Sequence, residues 1–453
     1  MQILIGISRT LVGSLFIVSG LIKANDALGF MYKLEEYFEP GALNLPGLME
    51  YALPIGIFVC IGEILLGVAM LLGALPKLTA SLTALILGFF AWLTWYTANC
   101  DPFGFKMIED ATGALVEIPN QCVLACGCFG NAIPLTPYES FIKDIVLIVL
   151  SIPMFIGAFM NRIQLNDQKT GMIILTASLV IIYLFSEIML DWLFPVLFAA
   201  VSFAVAEGIK RRASGKGQEW WMALGALAVG LTFQVWTLLH LPSKDYRPYA
   251  VGQSIVENMK SADELGLEPP KYATEYTFKN KTTGVDTIVL STDWLKIYNE
   301  DWFKRNYEQV AFDGREIKIS EGYEPLIMDF QVIDAEGEDM TEDFLNREGY
   351  LLLHISKDLD ATDAAGQEEL NALAASAQAA GWEMMALTNA TAEQGQAFKS
   401  KHEVPYDFYT CDQTELKIVV RSNPGLVLVK QGVVLAKWAW RDFPSSVDEI
   451  DVR

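Results

Sequence analysis

Between Met1 and His240 the chain is mostly long apolar runs, and this limits its first half to a membrane-embedded helical fold. Seven segments have the roughly 17–25 residues needed to cross a bilayer. They run over Ile3–Lys23, Tyr51–Leu75, Leu78–Ala98, Phe141–Met160, Gly171–Leu190, Trp192–Lys210 and Trp220–Leu241. The fifth and sixth are separated only by Ile188–Trp192, so two spans or one kinked helical hairpin are both open. The first run lacks a small-residue cleavage site and is expected to stay as a span.

Basic residues orient the spans. Lys210, Arg211, Arg212 and Lys216 lie between segments six and seven, and Arg162–Lys169 and Lys77 fall on the same side. That side is expected to be cytoplasmic, together with the N-terminus. The loops 24–50 and 99–140 are then outside. Seven spans place the C-terminal half outside too, in a disulfide-permissive compartment. The expected location is a cell inner membrane, with the soluble half in the periplasm.

From Leu241 onward the chain reads as soluble. Pro242–Arg453 holds 21 Lys and Arg against 38 Asp and Glu, which is −17 of the total −22. An acidic half of this kind repels phosphates and argues against a nucleic-acid partner. A linker, Leu241–Tyr249, precedes a hairpin over Glu275–Leu290. Strands are expected at Ile327–Gly337, Tyr350–Ser356 and Trp382–Thr388, with helices at about Ala364–Ala380 and Ala392–Lys399. A last hairpin, Pro424–Trp438, turns at Gln431-Gly432. The order is α/β with an antiparallel closing pair. The divisions are 1–160 (four membrane helices and an outer loop), 161–241 (three further spans), 242–320 (linker and small β-rich segment) and 321–453 (α/β domain).

The chemistry concentrates in Gln121–Gly130, which holds Cys122, Cys126 and Cys128, with Cys100 at the end of the third segment. Three readings stand side by side. The thiols staple the loop, they form a redox-active pair, or they bind a metal such as zinc. The redox reading has a mechanism: Cys126 and Cys128 precede a helix start, whose dipole favours a thiolate. A pair with one residue between its thiols is expected to be strained and oxidising. Cys100 and Cys122 would then face the substrate, and four Cys allow three connectivities. Cys60 is read as a buried, inert thiol, and Cys411 either as an inert thiol or as a lone thiol with a role of its own.

Ionisable residues inside spans are costly and need a partner or a function. Arg9 and Glu63 are expected to pair, as a clamp between helices or as a proton path or headgroup contact. Lys23, Asp26, Lys143 and Asp144 are read as interfacial anchors. Trp92, Trp95 and Tyr96 are read as an aromatic belt, with a stacking surface for a ring as the alternative.

Two resemblances follow. Arg9–Gly20, Lys23, Asp26 and Gly29-Phe30 resemble the DoxX/MauE-like membrane family, and Cys126-Gly-Cys-Phe-Gly130 resembles its MauE-like branch, over roughly the first 160 residues. The resemblance implies sulfur or thiol oxidation linked to a respiratory quinone. Asp329–Gly337 and Pro424 resemble the thioredoxin/peroxiredoxin fold, Pro424 standing where that fold places a cis-proline. Lys357–Thr362 occupies the place of its usual CxxC, which puts ordinary thioredoxin catalysis in doubt. The expected fold is a multi-pass α-helical membrane protein of about seven transmembrane helices followed by an extracytoplasmic α/β thioredoxin-like domain. The expected function is quinone-coupled thiol–disulfide or sulfur oxidoreduction. Cys126, Cys128, Cys100 and Cys122 are the catalytic candidates, and Trp92, Trp95, Tyr96, Arg9 and Glu63 the quinone contacts, with no metal. The alternative is a non-catalytic assembly subunit with a redox-dead docking domain. Membrane lipids and an extracytoplasmic protein docking on that domain are the expected partners.

Overall fold

A computed structural model describes the chain except residues 103, 110–112, 124–126, 128, 214, 216, 311–314, 363, 452 and 453. Cys126 and Cys128 therefore lie outside the described residues. The first half is a bundle of α1 (Gln2–Asn25), α2 (Ala27–Phe38), α3 (Ala52–Leu72), α4 (Pro76–Ala98), α5 (Pro137–Phe159), α6 (Gln168–Tyr183), α7 (Phe194–Arg212) and α8 (Gln218–Leu239). Among the described residues, six helical stretches are long and apolar enough to cross a membrane: α1, Pro46–Leu72, α4, α5, Gln168–Met189 and α8. A helix suits hydrocarbon because it satisfies its own backbone groups. The sixth expected segment forms α7, but Glu207, Lys210, Arg211 and Arg212 crowd its last turns and lower its apolarity. It is separated from α6 by a π-helical turn, Leu184–Met189.

Packing of α1 on α3 sets the register of the bundle. A Cβ on Gly67 would fall 2.7 Å from the Gly13 carbonyl oxygen, and one on Gly20 would fall 2.8 Å from Ile64 and 3.1 Å from the Glu63 Cβ. Glycine at these points lets the two backbones approach closely. Glu63 is thus level with Gly20, and its partner is Lys23, one turn on. The expected Arg9–Glu63 pair does not form. Arg9 lies instead at the far end of α3, where Nε donates to the Met70 carbonyl at 2.8 Å and Nη2 to Leu71 at 3.2 Å and Asn166 Oδ1 at 2.8 Å. Its role is to satisfy the carbonyls that a helix C-terminus leaves open.

At the other end of the bundle, 24–50 is more than a loop. Asp26 accepts from the Gly29 amide at 2.9 Å and caps α2. Tyr37 and Phe38 of α2 are buried against Ala52, Leu93 and Val123. A small hairpin, β1 (Phe105–Glu109) with β2 (Leu115–Pro119), stands in the loop after α4.

The second half carries two sheets. In the first, β3 (Lys271–Asn280) pairs with β4 (Asp286–Leu290), β5 (Tyr307–Gln309) and β6 (Arg315–Ser320), all antiparallel. The second is five-stranded, in the order β11-β10-β7-β8-β9. There β7 (Leu351–Ser356), β8 (Glu383–Thr388) and β9 (Phe408–Thr410) run parallel. The hairpin of β10 (Gly425–Lys430) and β11 (Val433–Ala439) closes one edge antiparallel. All six residues of β7 are buried, as in a central strand. Helices Ala364–Ala379 and Ala392–Lys401 connect the parallel strands. The Asn423–Pro424 peptide is cis. The strand expected at Ile327–Gly337 does not form. Ile327, Phe330 and Val332 sink into the core as irregular backbone, and Ile333 alone exchanges a bridge with Thr410 and Asp339.

The five-stranded domain is seated on the bundle. Asn25 Oδ1 accepts from the Ser243 amide at 2.8 Å, and Asn25 Nδ2 donates to the Lys244 carbonyl at 2.7 Å. Arg421 grips Asp26 in a fork, Nε to Oδ1 at 2.7 Å and Nη2 to Oδ2 at 3.0 Å. Tyr32 of α2 lies beneath Lys417, Arg421 and Lys357, at 4.8, 5.4 and 5.6 Å from its ring centre. Burial alone would raise the Asp26 carboxyl. The charges of Arg421 and Arg247, with the hydrogen bonds from Arg421 and Gly29, outweigh burial and hold it below its ordinary 3.8. A depressed carboxylate stabilises the folded state above its unfolded pKa, and that stability is lost as the pH falls through the folded value. Docking should therefore persist above pH 3.8 and weaken below it. Asp26→Asn should weaken docking at neutral pH by about 2–5 kcal/mol, the usual loss for a broken, buried charge pair. Faster hydrogen–deuterium exchange in α2 and residues 413–421, with α4 and α5 unchanged, is the expected readout.

Candidate functional site

The site forms where α1, α3 and α4 meet the loop that follows α4. Lys23 and Glu63 are each only 2 % exposed, with Nζ 2.9 Å from both carboxylate oxygens. The third ammonium proton goes to Ser19 Oγ at 2.7 Å. The ammonium also stands 5.5 Å from the Phe90 ring centre and 5.9 Å from Phe30. The Lys23 charge is thus fully compensated in an apolar surrounding, as buried charges must be. The anchor reading of Lys23 is corrected: it is buried by Phe30 and Phe90 and turned inward toward Glu63. Asp144 is corrected likewise, at 1 % exposure, with Lys143 2.9 Å away and Thr94 donating to it at 3.0 Å.

Three cavities border Lys23. One of about 500 Å³ lies between α2, α3 and α4; it is walled by Phe30, Leu34, Tyr37, Ile55, Phe90 and Leu93 and reaches the bundle surface at Phe89 and Trp92. Lys23 is the charged group in its lining. A second, of about 160 Å³, lies inside the bundle and takes in Glu63, Lys143 and Asp144. A third, of about 130 Å³, lies beneath the docked domain and is lined by Asp26, Lys33, Gly127, Gly130, Arg247 and Arg421.

The cysteine loop lies against the same walls. Cys100 and Cys122 form a disulfide, with Cα atoms 5.7 Å apart. Next to it, Gln121 donates its amide to the Gly41 carbonyl at 2.9 Å. Val123 is buried with Tyr37, Phe38 and Leu93, three residues that also line the large cavity. Further along, Phe129 enters the inner cavity, packs on Phe185 of the π turn at 5.7 Å and lies beneath Lys143 at 5.2 Å. The expected redox pair, Cys126 and Cys128, lies outside the described residues, so the structure neither joins nor separates it. Among the described residues no group of three or more His, Cys, Asp or Glu side chains is placed to hold a metal ion.

The expected ring contacts divide. Trp92 lines the mouth of the large cavity, 6.2 Å from Tyr96 in a stacked arrangement. The Tyr96 hydroxyl donates to the Ala42 carbonyl at 2.8 Å. Trp95 is half exposed and outside the cavity lining. Glu63 belongs to the site through Lys23, whereas Arg9 is at the opposite end of α3. Sequence reasoning gave Lys23 and Phe30 no place in the site, although both carry the family resemblance, and it missed Phe90. A lysine four residues after Ser19, on the face of Gly20, was the signal that could have found the first.

The remaining thiols are remote. Cys60 is fully buried in α3. In the soluble half, burial, then the nearby Glu415, pushes the Cys411 thiol up to about 12. It stays protonated at neutral pH, when the thiolate is the reactive form. The loop after β7 carries Lys357 and Asp358 rather than a thiol, and Asn423, beside the cis peptide, clips it by donating from Nδ2 to the Asp358 carbonyl at 2.8 Å.

One comparison bears on the bundle. Residues 1–101 match the family model for methylamine utilisation protein MauE. With the six apolar helices, the match makes this chain a membrane protein with a MauE-like N-terminal part. It ends one residue beyond Cys100, so the family likeness found spans α1–α4 and is narrower than the four-helix unit expected to residue 160. No curated protein and no solved structure matches the chain.

The Lys23–Glu63 pair carries a stability prediction. Lys23→Met leaves Glu63 as a lone buried charge and should cost about 3–5 kcal/mol, while the double variant Lys23→Met/Glu63→Leu should recover most of it. Thermal unfolding in detergent micelles, read by tryptophan fluorescence, measures both.

Proposed function

We propose that this protein is a membrane thiol–disulfide oxidoreductase whose electrons leave to a quinone in the cavity above Lys23. The observation that carries this reading is one buried ammonium at the floor of an aromatic cavity open to the lipid side, with Val123, next to the Cys100–Cys122 disulfide, packed against its wall. A volume of about 500 Å³ falls in the range of small-molecule sites. Phe30, Phe90 and Trp92 offer ring faces, and Lys23 would donate to a carbonyl oxygen by exchanging its hydrogen bond to Ser19 for one to the ring. A quinone would supply the two-electron oxidising power.

The exchange step follows from the disulfide. A substrate thiolate attacks one sulfur of Cys100–Cys122, a mixed disulfide forms, and the second substrate thiol resolves it. The substrate leaves as a disulfide and Cys100 and Cys122 are left as thiols. Cys126 and Cys128 are proposed to pass the two electrons on. The balance is two thiols plus quinone giving one disulfide plus quinol.

The reading implies seven crossings, α7 included, with the N-terminus in the cytoplasm. The cysteine loop and the soluble half then share the periplasmic side of an inner membrane. Parallel β7–β8–β9 with an antiparallel β10–β11 edge and a cis-proline before β10 supports a thioredoxin-like fold for the C-terminal domain. The description of the matching family, methylamine utilisation, supports a membrane role in redox metabolism; an extracytoplasmic protein is the thiol substrate that this reading proposes.

A second reading has its own observation. The end of the C-terminal domain that carries Lys357, Arg421 and the cis peptide is turned onto α2 of the same chain, without a cysteine in the loop after β7. That favours a structural docking module within an assembly subunit. Differential alkylation of the cysteines in nanodiscs separates the two. The oxidoreductase reading predicts that a dithiol reduces Cys100–Cys122 under mild conditions and that added quinone restores it. It also predicts that Trp92→Ala raises the KM for quinone roughly 10-fold, the factor equivalent to about 1.4 kcal/mol, with thiol exchange unchanged. A disulfide that yields only to strong reductant and ignores quinone supports the docking subunit.

A further inference from the structure

A quinone takes up two protons with its two electrons, and Lys23 is the charged proton donor in the lining of the aromatic cavity, where the Tyr37 hydroxyl is engaged with Thr97. This inference rests on the reading above. The second cavity lies directly behind that ammonium. It joins Lys23 and Glu63 to Lys143 and Asp144, two ion pairs from three helices around one volume of about 160 Å³. Most of its remaining wall is apolar, with Leu87, Phe90, Phe129 and Phe185 among the residues that line it, while Lys143 is partly exposed. A charged residue at membrane depth is costly, and two facing pairs repeat that cost. A clamp between α1 and α3 needs only the first pair. The volume is large enough for several waters, and the carboxylates and ammonium groups supply the partners that such waters need. The π turn that carries Phe185 is a backbone irregularity of a kind frequent at functional sites.

We infer that this inner cavity is the proton supply of the acceptor site, with Lys23 as the donor at the aromatic cavity and Glu63 and Asp144 as the groups that restore its proton through water. Two protons per turnover pass through Lys23 to the acceptor oxygens. Those two protons are replaced from solvent through the inner cavity, and the two released by the substrate thiols go to solvent at the cysteine loop, so charge and atoms balance across one cycle. The titratable groups facing the cavity are Lys23 from α1, Glu63 from α3, and Lys143 and Asp144 from α5. Cys60 sits one turn before Glu63 on α3, while α4 and the π turn present Leu87, Phe90 and Phe185.

The test uses the full-length protein in nanodiscs with a short-chain ubiquinone. Two rates are followed: thiol–disulfide exchange with a dithiol, which needs no quinone, and quinone-linked turnover. Glu63→Gln and Asp144→Asn should each lower quinone-linked turnover at least 10-fold and change its pH profile. The exchange rate and the KM for quinone should stay near wild type, and Glu63→Asp should restore part of the turnover. Because Glu63→Gln unpairs Lys23, the charge-neutral Lys23→Gln/Glu63→Gln variant is measured beside it; it should also lose quinone-linked turnover and keep thiol exchange, with the KM for quinone raised because Lys23 contacts the acceptor. Variants that keep both turnover and pH profile overturn the inference while leaving the oxidoreductase reading intact. Variants that lose exchange and quinone turnover together also overturn it, because they mark the pairs as structural. A wild-type protein that exchanges thiols but never reduces quinone brings down the oxidoreductase reading, and this inference with it.

Discussion

Close packing of α1 on α3 through Gly13, Gly20 and Gly67 is the constraint on which the rest depends. In lipid, helices gain little from apolar contact as such, so association relies on backbone approach at small residues and on polar pairs. Both act here on the same pair of helices. The glycines hold the register, and the register sets Lys23 against Glu63 and Arg9 against the end of α3. Shifting α3 by one turn would leave one charge of the pair unmatched in the bundle.

The functional architecture builds outward from that pair. Lys23 borders the aromatic cavity, the inner cavity with Lys143 and Asp144, and the space beneath the docked domain. Helix α2 covers the first and receives the domain on its other side through Asp26 and Tyr32. The C-terminal domain has thus placed the face that carries its cis peptide against its own bundle, beside the loop that holds Cys100 and Cys122. On this account the thiol chemistry belongs to the loop, and the domain covers and orients it.

Much of this was legible from sequence, and the misses have physical causes. Apolar length located the spans because a bilayer imposes a minimum run that chance seldom meets. Helix α2 escaped notice because Lys33, Glu35 and Glu36 interrupt it and it is too short to span. Yet Phe30, Leu34, Tyr37 and Phe38 keep the helical spacing of a one-sided apolar face. Arg9 and Glu63 do not pair because small-residue packing sets the offset between α1 and α3 and brings Glu63 to Lys23. Ile327–Gly337 has strand-like composition, but burial of its apolar side chains did not require a ladder. The cysteine loop stood out at once. Its cavity did not, because Phe30, Phe90 and Lys23 come from different helices and converge only in the fold.

Photoaffinity labelling with an azido-quinone in nanodiscs, with adducts mapped by mass spectrometry, tests the central claim most directly. The account predicts adducts on α2, α3 and α4 around Phe30, Ile55, Phe90 and Trp92, which excess unlabelled quinone suppresses and Lys23→Gln weakens. A second apolar groove of about 540 Å³, between α7 and α8 at Leu197, Val201 and Trp236, serves as the internal control, since charged side chains are missing from its lining. Adducts confined to that groove, or labelling that unlabelled quinone fails to suppress, would contradict the account.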